Sequence, residues 1–267
     1  IIDSDSATDS SSTFATIIPS ALSDTCVIRA ILDTNGLFSV PVSDHIETTE
    51  SRVFKLGLNS LSLKFIPDQI RHLNKLEALI LSDNKLTILP EALGTLNELT
   101  ILNVSFNNLI SLPSSLNILP LLTTLNISNN KFESFPEIIL GIKGLKYFYC
   151  NNNSIDTIHS EIAQLKELTT FECNYNSIKE IPSSIGELKK LFFLSLHHNE
   201  IGSIPKQLGN CSRIGNCLLN DNNLTSLPNS LNNLKPFIGL DLSNNYLDIT
   251  DTVSPWTKWA DRYDKGW

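Results

Sequence analysis

The chain has 267 residues, of which 41% are hydrophobic and 18% are charged, and its formal net charge is −8. This is the composition of a protein that folds in water, and no apolar run approaches the ~20 residues of a membrane span. The acidic balance argues against the basic stripe that nucleic-acid binding requires, so we expect no nucleic-acid partner.

Residues 1–25 are rich in Ser, Thr and Asp and lack the basic start and apolar stretch of a secretory signal. Such a composition predicts a flexible tail, with a phosphorylated regulatory tail as the alternative. The first residue is Ile rather than Met, so we expect a processed chain or a piece of a longer one.

In the next segment, two β-rich runs, residues 26–32 and 37–42, flank Asn35-Gly36. Asn-Gly between two such runs is a hairpin signal. We therefore predict that residues 26–52 form a β-hairpin cap on the N-terminal edge of the repeats that follow. The alternative is the opening hairpin of a ubiquitin-like Ras-associating domain, for which too few residues precede Val53.

From Val53 to Pro236 the chain repeats itself every 23 residues, eight times and without insertion. A fixed period of this length with regular leucines is the signature of a leucine-rich-repeat solenoid. One period reads Leu76-x-x-Leu79-x-Leu81-x-x-Asn84-x-Leu86-x-x-Leu89-Pro90-x-x-Leu93-x-x-Leu96. The asparagine column makes the register easy to check, and it runs Asn84, Asn107, Asn130, Asn153, Asn176, Asn199, Asn222 and Asn245.

Each column of the period has a physical reason. Leucines at positions four and six lie on one face of a short strand, and strands from successive periods pair in parallel. The Asn side chain carries a donor and an acceptor for backbone groups where the chain turns inward, and Pro begins the return segment. We therefore predict an α/β horseshoe solenoid over residues 53–250, with eight full repeats and a partial ninth. Its concave side is a parallel β-sheet, and short helices or 3₁₀ turns form its convex side.

The motif Leu-x-x-Leu-x-Leu-x-x-Asn-x-Leu-x-x-Leu-Pro resembles the Ras-group, intracellular leucine-rich repeats. Similar arrays occur in scaffolds of Ras signalling, in yeast-type adenylyl cyclases and beside type 2C serine/threonine phosphatase domains. The resemblance implies a protein partner, for which a small GTPase or a phosphatase are candidates. It is specific for the fold and weak for function, because the same repeats serve many partners.

Cysteine usage favours a reducing compartment. Neither end carries the cysteine cluster that is usual in the caps of extracellular repeats, and Cys150, Cys173, Cys211 and Cys217 replace core leucines. We interpret these four as small buried hydrophobic residues in a cytoplasmic protein. An extracellular pattern receptor is the alternative, which disulfides or glycans would favour.

At the other end, residues 251–267 place Trp256, Trp259, Ala260 and Tyr263 on one helical face. This spacing predicts an aromatic helix that caps the last repeat. A helix that binds a partner or links to another domain is the alternative.

No catalytic, cofactor-binding or metal-binding motif is present in the sequence, so we expect no enzyme activity, no cofactor and no metal. His197-His198 suggests a metal site at first sight. However, side chains of adjacent strand residues diverge, and we find no nearby carboxylate or Cys to complete a ligand set.

Positions three, five, seven and eight of each period point from the concave sheet towards a partner, and most of them are small and polar. Aromatic residues and one acidic residue interrupt this background in neighbouring repeats. Exposed rings in one patch are typical of an interface hot spot, although they also fill space along a sheet. The candidate protein-binding residues are Phe106, Tyr147, Tyr149, Glu172, Tyr175, Phe193, His197 and His198.

We therefore expect a cytoplasmic scaffold or adaptor that binds a folded protein on its concave face, in intracellular signalling. The alternative is the non-catalytic repeat region of a larger signalling enzyme, a type 2C phosphatase or an adenylyl cyclase.

Overall fold

The computed structural model describes residues 23–50, 52–234 and 239–247. In these ranges one helix precedes a ten-stranded sheet whose strand order follows the chain. The elements are α1 (Asp24–Thr34), β1 (Ile46–Thr49), β2 (Arg52–Gly57), β3 (Ala78–Ile80), β4 (Ile101–Asn103), β5 (Thr124–Asn126), β6 (Tyr147–Tyr149), β7 (Thr170–Glu172), β8 (Phe193–Ser195), β9 (Asn216–Leu218) and β10 (Gly239–Asp241). The 3₁₀ turns span Val42–His45, Asp68–His72, Glu91–Thr95, Ser114–Ile118, Glu137–Gly141, Ser160–Gln164, Ser183–Glu187, Lys206–Asn210 and Asn229–Asn233.

The sheet is parallel from β2 to β10, and β1 pairs antiparallel with β2 at its N-terminal edge. Parallel partners are 23 residues apart, as in Leu79 opposite Leu102 and Leu102 opposite Leu125. Successive strands alternate with the 3₁₀ turns of the opposite layer, and the leucine columns fill the space between the two layers. The predicted leucine-rich-repeat solenoid, with its parallel sheet and convex 3₁₀ turns, is confirmed.

The asparagine column ties each repeat to the preceding one. Asn107 Oδ1 accepts a hydrogen bond from the backbone N–H of Leu86, at 2.9 Å. Its Nδ2 donates to the carbonyl oxygens of Leu81 at 2.9 Å, Val104 at 3.1 Å and Ser105 at 3.2 Å. The same pattern recurs at the other asparagines of the column, for example at Asn222, which is 4% exposed. Buried backbone groups that no strand partner reaches are thereby satisfied.

Proline immediately precedes each convex 3₁₀ turn from Asp68 onward, with one exception. The fixed φ of proline suits the entry into the turn. In the exception, His159 takes this position. Its Nδ1 accepts a hydrogen bond from the backbone N–H of Glu161 at 3.1 Å. The imidazole thus accepts a hydrogen bond from an N–H group that would otherwise be free at the start of the turn. Proline, in contrast, favours the turn through its fixed backbone angle.

The predicted hairpin at residues 26–42 is wrong, because this segment begins with helix α1. Asn35-Gly36 ends the helix instead of joining two strands. Gly36 has a φ of 77°, its N–H donates to the carbonyl of Asp33, and the N–H of Leu37 donates to the carbonyl of Leu32. These are the two hydrogen bonds of a Schellman motif, in which glycine supplies the left-handed residue after a helix.

Helix α1 is anchored to the solenoid by its apolar face and by one carboxylate. Val27, Ile28, Ile31 and Leu32 are buried in the common core, and this spacing is that of one helix face. Asp24 is 5% exposed, and its Oδ2 accepts hydrogen bonds from the backbone N–H of Val53 and from Arg52 Nε, at 2.7 and 3.0 Å. The helix therefore begins inside the segment predicted as a flexible tail up to residue 25.

Two predictions lie outside the described residues: the rest of the tail, residues 1–22, and the cap helix at residues 251–267. Within the described residues, no helix is long and apolar enough to cross a membrane.

Cys150, Cys173, Cys211 and Cys217 are free thiols buried in the core, as predicted, whereas Cys26 is exposed. Burial raises the pKa of Cys211 to about 11 and that of Cys217 to about 12, so both thiols stay protonated.

Replacing one asparagine of the column should destabilise the solenoid. In Asn107→Leu, the N–H of Leu86 loses its acceptor and the carbonyls of Leu81 and Val104 lose a donor. We expect a loss of about 2–4 kcal/mol in the free energy of unfolding, measured by urea denaturation followed by circular dichroism. The control is Asn108→Ala one position later, where the side chain makes no hydrogen bond within the described residues, and a change within about 0.5 kcal/mol is expected. Equal losses in the two variants would contradict a structural role of the column.

Candidate functional site

The concave face is a grid in which each strand contributes side chains at its first and third residues. In the first row, Tyr147 lies beside Thr170, and Thr170 lies beside Phe193. In the third row, Tyr149 is paired with Glu172. Adjacent strands are about 4.8 Å apart, so these side chains form one continuous area. Tyr147 is 40% exposed, and Tyr149, Glu172 and Phe193 are half-buried.

Position eight of every repeat, just after the strand and before the asparagine column, has a left-handed backbone. Its φ lies between 53° and 59°. Asn, Asp and Ser tolerate this conformation, whereas for a bulky side chain it is an outlier. The residues at this position are Ser60, Asp83, Phe106, Asn129, Asn152, Tyr175, His198, Asp221 and Asn244. Three of the nine are rings, and such strained residues tend to occur at functional sites.

Two of these three rings meet in a compact cluster with His197. The rings of Tyr175 and His198 stack with their centroids 4.2 Å apart and an interplanar angle of 28°. His197 contacts Tyr175 and His198 edge-on, at centroid distances of 5.2 and 5.1 Å. Exposure of the cluster remains substantial, with Tyr175 at 47%.

The expected divergence of His197 and His198 is wrong, because the left-handed backbone at His198 breaks the alternation of the strand. Their Nδ1 atoms are 2.9 Å apart, so one donates a hydrogen bond and the other accepts it. A carboxylate is also near, since Asp221 Oδ2 lies 3.4 Å from His198 Nδ1. Nevertheless, the described residues contain no group of three or more His, Cys, Asp or Glu side chains arranged to hold a metal ion.

Three side chains of the face have shifted pKa values. Burial, and then the charge of His198, lower the pKa of His197. Burial opposes the shift of Asp221, but hydrogen bonds from Asn244 and Asn220 lower its pKa overall. Burial and the charge of Glu172 raise the pKa of Tyr149, which keeps its phenol neutral.

The predicted patch is therefore divided. Tyr175, His197 and His198 form the compact cluster at the end of the strands, and the Tyr147, Tyr149, Glu172 and Phe193 set lies on the sheet itself. Phe106 stands apart, three repeats before Tyr175, or about 14 Å along the sheet. It is 58% exposed and makes no ring contact with another described aromatic residue.

Sequence reasoning missed Asp221, a member of this surface, and Phe192, an exposed ring just before β8. Asp221 occupies the same column as His198, so the 23-residue spacing was a signal for their contact. Phe192 is 51% exposed, and its ring lies against Gly215 of the next repeat. A Cβ at Gly215 would come within 2.5 Å of the ring, so the glycine leaves room for it.

Because of the left-handed backbone, we expect Phe106→Asn to stabilise the protein. Asn occupies the same column at residues 129 and 152, and it relieves strain of about 1 kcal/mol. The reciprocal control Asn129→Phe should lose a similar amount, with both variants measured by urea denaturation. A destabilised Phe106→Asn would show that the ring contributes to folding.

An NMR titration of the imidazole protons should give His197 a pKa below the usual value of about 6.5. As the pH falls, His197 is therefore protonated at a higher pH in the unfolded chain than in the folded protein. Protonation of His197 thus lowers the stability of the folded state below about pH 6.5. Tyr175→Asn and His198→Gln should each raise the pKa of His197, by admitting water and by removing a like charge. Phe106→Asn, in the same column as Tyr175 but remote, is the control and should leave it unchanged.

Comparison with known proteins agrees with this architecture. The family model described as Leucine Rich Repeat matches residues 75–96 and 121–142. A leucine-rich-repeat protein of Leptospira interrogans is 30% identical, with a TM-score of 0.61, over 78% of this chain and 57% of its own. The plant peptide hormone receptor RGFR1 in complex with RGF2 is 29% identical, with a TM-score of 0.62, over 69% of this chain and 31% of its own.

The functional domain of InlJ from Listeria monocytogenes is 25% identical, with a TM-score of 0.62, over 71% of this chain and 39% of that one. The chain thus spans less than two thirds of the length of each of these structures. No curated protein sequence matches it. The 23-residue columns, the solenoid that they build and the matched repeats show that the chain contains leucine-rich repeats and has their fold.

Proposed function

We propose that this chain is a protein-interaction module that binds a folded partner on its concave face. The observation that carries the proposal is the exposure of rings on the sheet, some of them at left-handed positions where smaller residues would be less strained. The core between the two layers is filled by the buried columns and does not include these exposed rings. Strain held at an exposed position is a reason to expect a role in binding.

The candidate binding residues are Phe106, Tyr147, Tyr149, Glu172, Tyr175, Phe193, His197 and His198. Half of them lie on short strands whose backbone is fixed by the neighbouring repeats. Side chains that are ordered before binding lose little conformational entropy on association, which favours affinity. Aromatic side chains in such an area are the usual hot-spot residues of protein interfaces.

We further propose a Ras-group, cytoplasmic module that acts in signalling and is itself non-catalytic, with a small GTPase or a phosphatase as partner. The free cysteines support a reducing compartment. The division into a tail, an N-terminal cap, the repeats over 53–250 and a C-terminal cap remains part of this proposal, with α1 and β1 as the N-terminal cap.

The test is recovery of partners from a lysate of the native cells, with the purified protein as bait and mass spectrometry as readout. Tyr149→Ala combined with Phe193→Ala should weaken binding of the main partner by more than about 1 kcal/mol, or about fivefold in Kd. Thermal unfolding should be unchanged, because both side chains point away from the core.

The matched control is Ile118→Ala, which removes an exposed apolar side chain (67% exposed) from a convex 3₁₀ turn. It should recover the same partners as the unmodified protein. If the double variant also recovers them with unchanged affinity, the concave face is not the binding surface.

A further inference from the structure

From β3 to β10 the strand segments of the concave face carry carboxylates and no Lys or Arg, whereas Lys55 on β2 pairs with Glu47 at the N-terminal edge. The six residues from position three to position eight of the repeats of β3 to β10 contain no Lys or Arg, although the chain has 20 of them. Four carboxylates lie in these segments, namely Asp83, Glu172, Asp221 and Asp241. The segments, all within the described part of the chain, are 78–83, 101–106, 124–129, 147–152, 170–175, 193–198, 216–221 and 239–244. Over β3 to β10 the sheet face is therefore anionic.

Three of these carboxylates are used within the protein at local turns. Asp83 Oδ2 accepts from Ser60 Oγ at 2.8 Å, and Asp241 Oδ1 accepts from the backbone N–H and Oγ of Ser243 at 3.0 and 2.6 Å. Asp221 accepts from Asn220 and Asn244, at 2.6 and 2.8 Å. These hydrogen bonds account for their presence without a ligand.

Glu172 differs from the other three in its neighbours, because it lies directly opposite Tyr149 on the paired strand. Its Oε2 accepts one hydrogen bond from Asn151 Nδ2 at 3.1 Å. Its Oε1 receives none from the described residues, and Glu172 forms no ion pair with any of them. Glu172 is half-buried in the middle of the sheet face. Its Oε1 is thus available to a partner.

Aromatic side chains surround this carboxylate. Tyr149 is its direct neighbour across the β6–β7 pair. Tyr147 and Phe193 lie one strand away on either side and two residues back, about 8 Å from Glu172 between backbone positions. A carboxylate with aromatic rings as neighbours is an environment that a cationic side chain prefers, because the carboxylate and the ring faces both attract a cation.

We propose that the concave face binds a basic segment of the protein partner, with an arginine side chain paired to Glu172 and packed on Tyr149, Tyr147 and Phe193. Arginine suits this site better than lysine, because its planar group donates several hydrogen bonds and stacks on rings at the same time. An acidic segment is excluded by the charge of the face. This inference rests on the proposed function and adds the chemistry of the partner.

Selection of random phage-displayed peptides on the immobilised protein tests the charge preference without a known partner. We expect enrichment of arginine and lysine on the unmodified protein and a weaker enrichment on Glu172→Gln. The control surface is Glu133→Gln, which removes an exposed carboxylate outside the strands and should select the same peptides as the unmodified protein.

The best selected peptide is then measured by fluorescence anisotropy, together with a version in which citrulline replaces each arginine. We expect Glu172→Gln to raise Kd about tenfold and Glu133→Gln to leave it within about twofold. Tyr149→Leu should also weaken binding, because it removes the ring, whereas Tyr149→Phe should not. The citrulline peptide, which keeps the shape but not the charge, should bind the unmodified protein at least about tenfold more weakly.

Three results would overturn the proposal: no peptide selected, no enrichment of basic residues, or equal Kd values for the arginine and citrulline peptides. The citrulline comparison uses the unmodified protein, so it decides the matter even if a variant folds poorly. If the Tyr149→Ala and Phe193→Ala double variant loses its partner while basic peptides show no preference, the interaction function stands and only the basic chemistry is wrong.

Discussion

The asparagine column is the interaction on which this solenoid depends. Each side chain accepts from the backbone of the previous repeat and donates to carbonyls of its own repeat and the previous one, as Asn107 does. The backbone turns sharply there, so neither the sheet nor the 3₁₀ layer reaches these buried groups. Because every asparagine contacts the preceding repeat, no repeat is complete alone, and stability is shared along the stack.

The same turn creates the site. To bring the asparagine inward, the preceding residue takes a left-handed backbone in each repeat, and its side chain leaves the alternation of the strand. Small polar residues do this with little strain. At Tyr175 and His198 the turn instead places two rings in contact with each other and with His197. Asp221, which holds the same position in the next repeat, lies close to His198. The fold thus turns a structural position into one where neighbouring side chains of consecutive repeats meet.

Charge is sorted by layer as well. The core columns need apolar residues and the turns need short polar ones, which leaves the exposed strand positions free to vary. From β3 to β10 carboxylates occur on those positions without Lys or Arg, and Glu172 is the one that lies opposite Tyr149. Nothing in the packing of the repeats requires this arrangement. A preference for a cationic partner gives it a physical reason.

The sequence alone determined the period, the parallel sheet, the buried cysteines and the role of the asparagines, because each follows from residue type at a fixed spacing. It left short helices and 3₁₀ turns open for the convex side, and the structure has 3₁₀ turns. The sequence misled at Asn35-Gly36, since the same dipeptide ends a helix or turns a hairpin, although the apolar spacing of Val27, Ile28 and Ile31 was that of a helix. The candidate residues could be read from the sequence, but their grouping could not. Only the tertiary structure brought His197 and His198 together, because the left-handed backbone of His198 turns its side chain out of the alternation of the strand.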